Sequence, residues 1–136
     1  SPFYFFYVGP GFQLTDWWWT SPRVGMVMNW PTYGRAAPIA SFWNSFSIHG
    51  GDVTFFMETE LYPLQDGGLD YYGLYWGDYN VKSLSLGAHA EQVDSHVTVG
   101  PHAVYSLNDH MVVGMEHHWD FASSHALRAT IKLQFN

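Results

Sequence analysis

Histidine and acidic side chains recur at alternate positions in the second half of the chain, and these residue types bind metals or transfer protons. The stretch HMVVGMEHHWDF, residues 110–121, places Glu116, His118 and Asp120 two residues apart. Imidazoles and carboxylates together suit zinc or a similar divalent ion. Together with His102 from the preceding run, Glu116 and His118 form a candidate metal site, although the spacing matches no known metal motif.

Hydrolytic chemistry is a second use for such residues, because a histidine can activate a hydroxyl nucleophile. The candidate hydroxyls on nearby polar positions belong to Ser83, Ser85 and Ser106, and no motif marks any of them. The chain has no cysteine, which excludes thiolate nucleophiles and thiolate metal sites. We therefore expect neither an enzyme nor a cofactor.

A β-strand accounts for residues 110–121 without any catalysis, because successive side chains of a strand point to opposite faces. One face is then apolar and the other polar. The apolar set is Met111, Val113, Met115, Trp119 and Phe121, and the polar set is Gly114, Glu116, His118 and Asp120. The question for function is which of the two faces is inside.

Alternation of this kind recurs along the whole chain, and helical periodicity is almost absent. The runs cover about 3–14, 17–30, 41–49, 53–62, 69–78, 81–92, 97–107, 111–121 and 125–135. A chain of 136 residues suffices for one domain. We predict a single all-β domain over residues 1–136, an antiparallel up-and-down meander β-barrel of about eight strands. Nine runs conflict with the even strand numbers of bacterial membrane barrels. We therefore expect one run to be counted wrongly, and the candidate is the run 3–14, which Gly9-Pro10-Gly11 interrupts.

Charge and hydropathy restrict the partners. Only 12% of the residues are charged, the formal net charge is −7, and the five Lys and Arg residues are scattered. This balance argues against a nucleic-acid partner. No run approaches ~18 consecutive apolar residues, so the sequence predicts no transmembrane helix.

Two architectures use one apolar and one polar face: a soluble barrel buries the apolar face, whereas a membrane barrel turns it to lipid. Small residues such as Gly87, Gly100 and Gly114 replace the Lys and Glu typical of a soluble surface. The clear runs are also near the ~9–11 residues of a tilted membrane strand. Aromatic residues gather at run ends, as in a membrane-interface girdle. The expected girdle consists of Trp17, Trp18, Trp19, Trp30, Trp119 and Phe135.

The last run, HALRATIKLQF, places Leu127, Ala129, Ile131, Leu133 and the aromatic Phe135 on one face. It resembles the C-terminal signal by which bacterial outer-membrane β-barrels are recognised for insertion. The resemblance covers LRATIKLQF specifically and the rest of the chain only in pattern. It implies a location in the cell outer membrane, contact with membrane lipid or lipopolysaccharide, and no cofactor.

Hairpin geometry predicts which polar residues meet on the inner face. Short turns place His102 opposite both Gly87 and Glu116, and place His118 opposite Arg128. We expect a network of hydrogen bonds and salt bridges that packs the lumen, because buried charges are ordinarily paired. The expected members are His89, His102, Glu116, His118, Arg128, Lys132, Glu58 and Glu60.

The sequence thus favours an integral outer-membrane β-barrel with a polar, largely packed lumen, acting in structure, adhesion or as a narrow porin-like pore, with homo-oligomers as an option. One alternative is a soluble lipocalin-like barrel that binds an apolar ligand among methionines and aromatic rings. A second is a carbohydrate-binding β-sandwich that stacks Trp17–Trp19, or the tyrosines near Tyr72, on sugar rings. Either alternative would make the protein secreted or periplasmic.

Overall fold

The structure is a computed structural model that describes residues 3–29, 36–63, 69–93, 95–121 and 124–133. These residues form ten strands and one short 3-10 helix, His49–Gly51. The strands are β1 (Phe3–Val8), β2 (Phe12–Thr15), β3 (Trp18–Asn29), β4 (Ala36–Ile48), β5 (Val53–Pro63), β6 (Leu69–Val81), β7 (Leu84–Val93), β8 (His96–Asn108), β9 (Met111–Asp120) and β10 (His125–Leu133). Within the described ranges, no helix is long and apolar enough to cross a membrane.

All ten strands belong to one sheet in the order β1-β3-β4-β5-β6-β7-β8-β9-β10, with β2 paired to β3 beside this path. Neighbouring strands pair antiparallel throughout. The predicted all-β class and up-and-down meander are therefore confirmed. The run 3–14 is counted wrongly, as expected, because it contains two strands, β1 and β2, which both pair with β3 on either side of the break at residues 9–11.

The predicted closed barrel of about eight strands is wrong in strand number and in closure. The sheet has ten strands, and β1 and β10 are its two edges, with no pairing between them among the described residues. The path contains nine strands, an odd number. Eight successive antiparallel pairings leave β10 parallel to β1, so these two edges cannot complete the antiparallel pattern.

The sheet curves, and its polar face is the concave and buried one. Tyr7 on β1 donates a hydrogen bond to Glu60 on β5, across two intervening strands. Ile39 is the only buried hydrophobic residue in the described part of the chain. The buried polar residues are Thr20, Ser21, Ser41, Asn44, Glu60, His89, His102, Glu116 and His118. Burial is thus inverted relative to a soluble protein, in which apolar side chains fill the core.

The register of two hairpins agrees with the sequence prediction. Gly87 on β7 lies opposite His102 on β8, and His102 in turn lies opposite Glu116 on β9. A slip of one residue would have moved every side chain to the other face. Short turns and the two-residue alternation therefore place the polar residues of β7, β8 and β9 on one face.

The predicted register of β9 with β10 is wrong by two residues. Arg128 lies opposite Glu116, and not opposite His118. The connection is longer than expected because Asp120 belongs to the turn: its N–H donates to the carbonyl of Ser124 at 3.1 Å, and its carboxylate accepts the Ser124 N–H at 2.8 Å. A shift of two residues keeps the faces unchanged and alters only the partners.

Candidate functional site

Three buried histidines form the centre of the concave face. His89 on β7, His102 on β8 and His118 on β9 are 3%, 4% and 6% exposed. The ring centroid of His89 lies 4.4 Å from that of His118 and 5.7 Å from that of His102. We call these residues the histidine cluster. Their closeness follows from the register, since three neighbouring strands present them on the same face.

Acidic side chains surround the histidine cluster. Nε2 of His118 lies 3.0 Å from Oε2 of Glu116, and Nδ1 of the same ring lies 3.3 Å from Oε2 of Glu91. Nε2 of His102 lies 2.5 Å from Oδ1 of Asp78 on β6. Two of the three histidines therefore have carboxylate partners, which is how buried polar groups are normally stabilised.

Arg128 closes one side of the cluster. Its Nη1 lies 3.5 Å from Oε2 of Glu116, and its Nη2 lies 3.0 Å from Oε2 of Glu91. The arginine side chain is 48% exposed, whereas those of Glu116 and Glu91 are 3% and 12% exposed. The guanidinium thus neutralises two buried carboxylates from the rim of the concave face.

Glu58 and Glu60, which the sequence places in the same network, lie on β5 and form a second group. Glu60 is 3% exposed and accepts the hydrogen bond of Tyr7. The positive charge on this side is Arg23, whose Cζ lies 3.7 Å from the ring centroid of Trp43. This is the geometry of a cation–π contact.

The remaining predicted member of the network is Lys132 on β10, which pairs with Val112 on β9. The side chain of Lys132 is outside the described residues. Tyr72 supports the cluster from the β6 side, because its hydroxyl donates to Oε1 of Glu91 at 3.0 Å. Of the predicted members, the structure thus brings together His89, His102, Glu116, His118 and Arg128.

Sequence reasoning missed Asp78 and Thr98. The alternation places Asp78 at the end of the run 69–78, but β6 continues to Val81 and places Asp78 opposite Gly87. Thr98 Oγ1 lies 3.3 Å from Nδ1 of His118. The signal for Asp78 was present, because a tight turn at residues 82–83 fixes the β6–β7 register in the same way as in the other hairpins.

The structure changes the composition of the candidate metal group. Ligand atoms of His89, Glu116 and His118 all lie within 4.8 Å of one another, and all three residues are buried. His102, the histidine that the sequence suggested, is instead paired with Asp78. His89 therefore replaces His102 in the metal group. It does so because side chains two strands apart, on β7 and β9, meet across the concave face.

The candidate hydroxyl nucleophiles do not meet the histidines in the described ranges. Ser85 donates to Oδ1 of Asn80 at 2.5 Å, and Ser83 and Ser106 are exposed. The hydroxyl beside a histidine is that of Thr98. Among the described residues, none of these three serines is therefore in hydrogen-bond contact with a histidine.

The predicted girdle aromatics occupy both ends of the sheet. Trp17 and Trp18 precede and begin β3, and their rings stack at a centroid distance of 6.2 Å. Trp119 lies at the opposite end, near the end of β9, with its ring centroid 5.1 Å from that of Phe121. Trp30 and Phe135 lie outside the described residues.

Trp19, which follows Trp18 on β3, lines a cleft of about 550 Å³ together with Trp17. The cleft mixes aromatic rings with hydrogen-bonding groups. Its lining residues are Gln13, Asp16, Trp17, Trp19, Arg23, Trp43, Ser45, Ser47 and Phe56. This is the composition of a small-molecule site, in which rings supply contact area and polar groups fix orientation.

No protein-family model, curated protein or solved structure matches this chain.

Proposed function

We propose that this protein is an integral outer-membrane β protein whose convex apolar face meets lipid and whose concave polar face is a packed interior. The observation that carries the proposal is the inverted burial. In the described residues 26 large hydrophobic side chains are exposed, while Ile39 alone is buried. Soluble monomers rarely expose contiguous apolar patches beyond a few hundred Å², whereas the lipid face of a membrane barrel is entirely apolar.

The polar interior supports the same proposal. Charged groups inside a membrane protein must be paired, because an unpaired charge in a water-poor interior is costly. Arg128 with Glu91 and Glu116, and His102 with Asp78, meet this requirement. The paired side chains occupy the β6–β10 part of the concave face, which favours a structural or adhesive role over a wide pore.

The two sheet edges set a further requirement. Backbone groups of an open edge cannot remain in the hydrocarbon region of a bilayer. In the proposed membrane state β1 and β10 therefore pair with each other or with the edges of further copies. Because they run parallel, the closing pair is parallel, and closure between copies would make the protein a homo-oligomer.

The test of this proposal is folding with and without detergent. The chain is expressed, purified under both conditions, and compared on an unheated gel and by size exclusion with light scattering. We expect a folded, heat-modifiable species only in detergent. One chain per particle would indicate edge pairing within the chain, and two or more would indicate pairing between copies. A folded monomer that is monodisperse without detergent would contradict the membrane proposal.

The cleft beside Trp19 favours carbohydrate binding as a second candidate function. Its aromatic rings can stack on sugar rings, while Asp16 and Arg23 can hydrogen-bond to hydroxyls. The lipocalin-like alternative has less support, because Met26, Met28 and Met115 are exposed on the convex face. A glycan array, with Trp19→Ala as the control variant, tests sugar binding; signals that are unchanged in the variant would contradict it.

A further inference from the structure

His89 differs from the other two buried histidines in its partners. His102 has Asp78 and His118 has Glu116 and Glu91, but in the described part of the chain the only hydrogen-bond contact of His89 is with His118. Its Nδ1 is buried and has no partner there. Burying an imidazole against another imidazole leaves most of its desolvation uncompensated.

The distance between the rings of His89 and His118 suggests what compensates the desolvation of His89. Nε2 of His89 and Nδ1 of His118 face each other at 3.3 Å. This is longer than the usual N–H hydrogen bond of about 2.9–3.0 Å. It is the separation of two ligand atoms on one edge of a metal tetrahedron, about 3.3 Å when the metal–nitrogen bonds are 2.0–2.1 Å.

Glu116 completes the arrangement. Its Oε2 lies 3.0 Å from Nε2 of His118. Glu116 is itself close enough to contribute an oxygen ligand, since the three ligand atoms lie within 4.8 Å of one another.

The local charge also favours a cation. Glu91 and Glu116 carry two negative charges next to the histidine pair, and Arg128 provides one positive charge from the rim. The side chain of Glu91 also borders the site, with Oε2 at 3.3 Å from Nδ1 of His118.

We propose that His89, Glu116 and His118 bind one divalent transition-metal ion of the zinc, cobalt or nickel type on the concave face. Two imidazole nitrogens and a carboxylate suit these ions, whereas calcium and magnesium prefer oxygen ligands. The site is independent of whether the convex face meets lipid, because all its ligands lie on the opposite face of β7 and β9.

The test uses the full chain, refolded and purified, treated with a chelator and dialysed against Zn²⁺ in competition with a chromophoric chelator. We expect one Zn²⁺ per chain, with an affinity at least about 10-fold weaker in His89→Gln and in His118→Gln. Excess Mg²⁺ should not displace the ion. Co²⁺ should give the intense visible absorption of a four-coordinate site, and this readout needs no variant.

Two control variants separate this site from other histidines. His102→Gln removes the third buried histidine and should keep the bound Zn²⁺. The ring nitrogens of His117 and His125 also face each other, at 3.2 Å, but lie outside the cluster. His125→Gln should therefore also keep it.

Binding that is lost only in His125→Gln would overturn the proposal, as would a wild-type chain that retains no Zn²⁺ and gives only the spectrum of hexaaqua Co²⁺. Far-UV circular dichroism, recorded with and without detergent, shows separately whether each variant is folded, so failure of the metal site and failure of the membrane proposal are distinguishable.

Discussion

Arg128 and Glu91 form an ion pair across the concave face, with Nη2 of the arginine 3.0 Å from Oε2 of the glutamate, although two strands separate β10 from β7. Neighbouring strands lie ~4.8 Å apart, so β7 and β10 would be about 14 Å apart in a flat sheet. The contact therefore depends on the curvature of the sheet, and the same curvature assembles the histidine cluster.

The first prediction concerns this ion pair. Arg128→Ala leaves Glu91 and Glu116 without their shared cation, and we expect a loss of about 1–3 kcal/mol in the free energy of unfolding. The measurement is reversible urea unfolding in detergent micelles. Lys82→Gln, in the exposed β6–β7 turn, is the control and should change stability by less than ~0.5 kcal/mol. In a double variant with Glu91→Gln the losses should be less than additive, and full additivity would show that the two side chains do not interact.

The second prediction tests the environment of the convex face. Met115 lies near the middle of β9 and is 54% exposed. Met115→Arg should cost ~2–4 kcal/mol in lipid vesicles, because a charge near the bilayer midplane is expensive. Val81→Arg, at the end of β6, should cost only ~0–1 kcal/mol. Equal and small effects at both positions would mean that this face meets water.

The third prediction concerns orientation. The two longest connections join β3 to β4 and β5 to β6, whose joined ends lie at one end of the sheet, and the turn at residues 109–110 lies at the other. Outer-membrane barrels have short periplasmic turns and longer extracellular loops. Ser95 lies at the same end as the long connections, so Ser95→Cys should react with a membrane-impermeant maleimide on intact cells. Asp109→Cys should react only after the outer membrane is permeabilised.

The absence of native cysteine makes this labelling clean, since each variant contains a single thiol. The reverse pattern of labelling would contradict the assigned orientation. Labelling of both positions on intact cells would instead contradict a membrane-spanning sheet.

The fourth prediction concerns the space beside Asp78. A Cβ at Gly87 would collide with the backbone carbonyl of Gly77 and with the carboxylate of Asp78, which pairs with His102. Gly87→Ala should therefore destabilise the fold by about 1–3 kcal/mol. Gly77→Ala is the matched control, because its Cβ would meet only the ring of Phe55, at 3.2 Å. Urea unfolding in detergent micelles compares the free energies of unfolding of the two variants. A greater loss of stability in Gly77→Ala than in Gly87→Ala would show that the space at Gly87 does not limit the packing.

Much of the fold is determined by the sequence itself. The two-residue alternation assigned His89, His102, Glu116 and His118 to one face, and short turns gave the correct pairing of His102 with Gly87 and with Glu116. These features are local, because a strand has only two faces and a tight turn allows few registers. A residue can therefore be placed from its neighbours in the chain alone.

The contacts that define the site were decided only by the tertiary structure. The pairing of Arg128 with Glu91, and of His89 with His118, joins strands that are not neighbours. Such contacts depend on the curvature of the whole sheet, which alternation does not encode. The β9–β10 register depended on the contact of Asp120 with Ser124 across the turn, and the parallel orientation of the two edge strands followed from the number of strands. Alternation fixes which face a side chain occupies, whereas curvature and strand number fix which side chains meet across it.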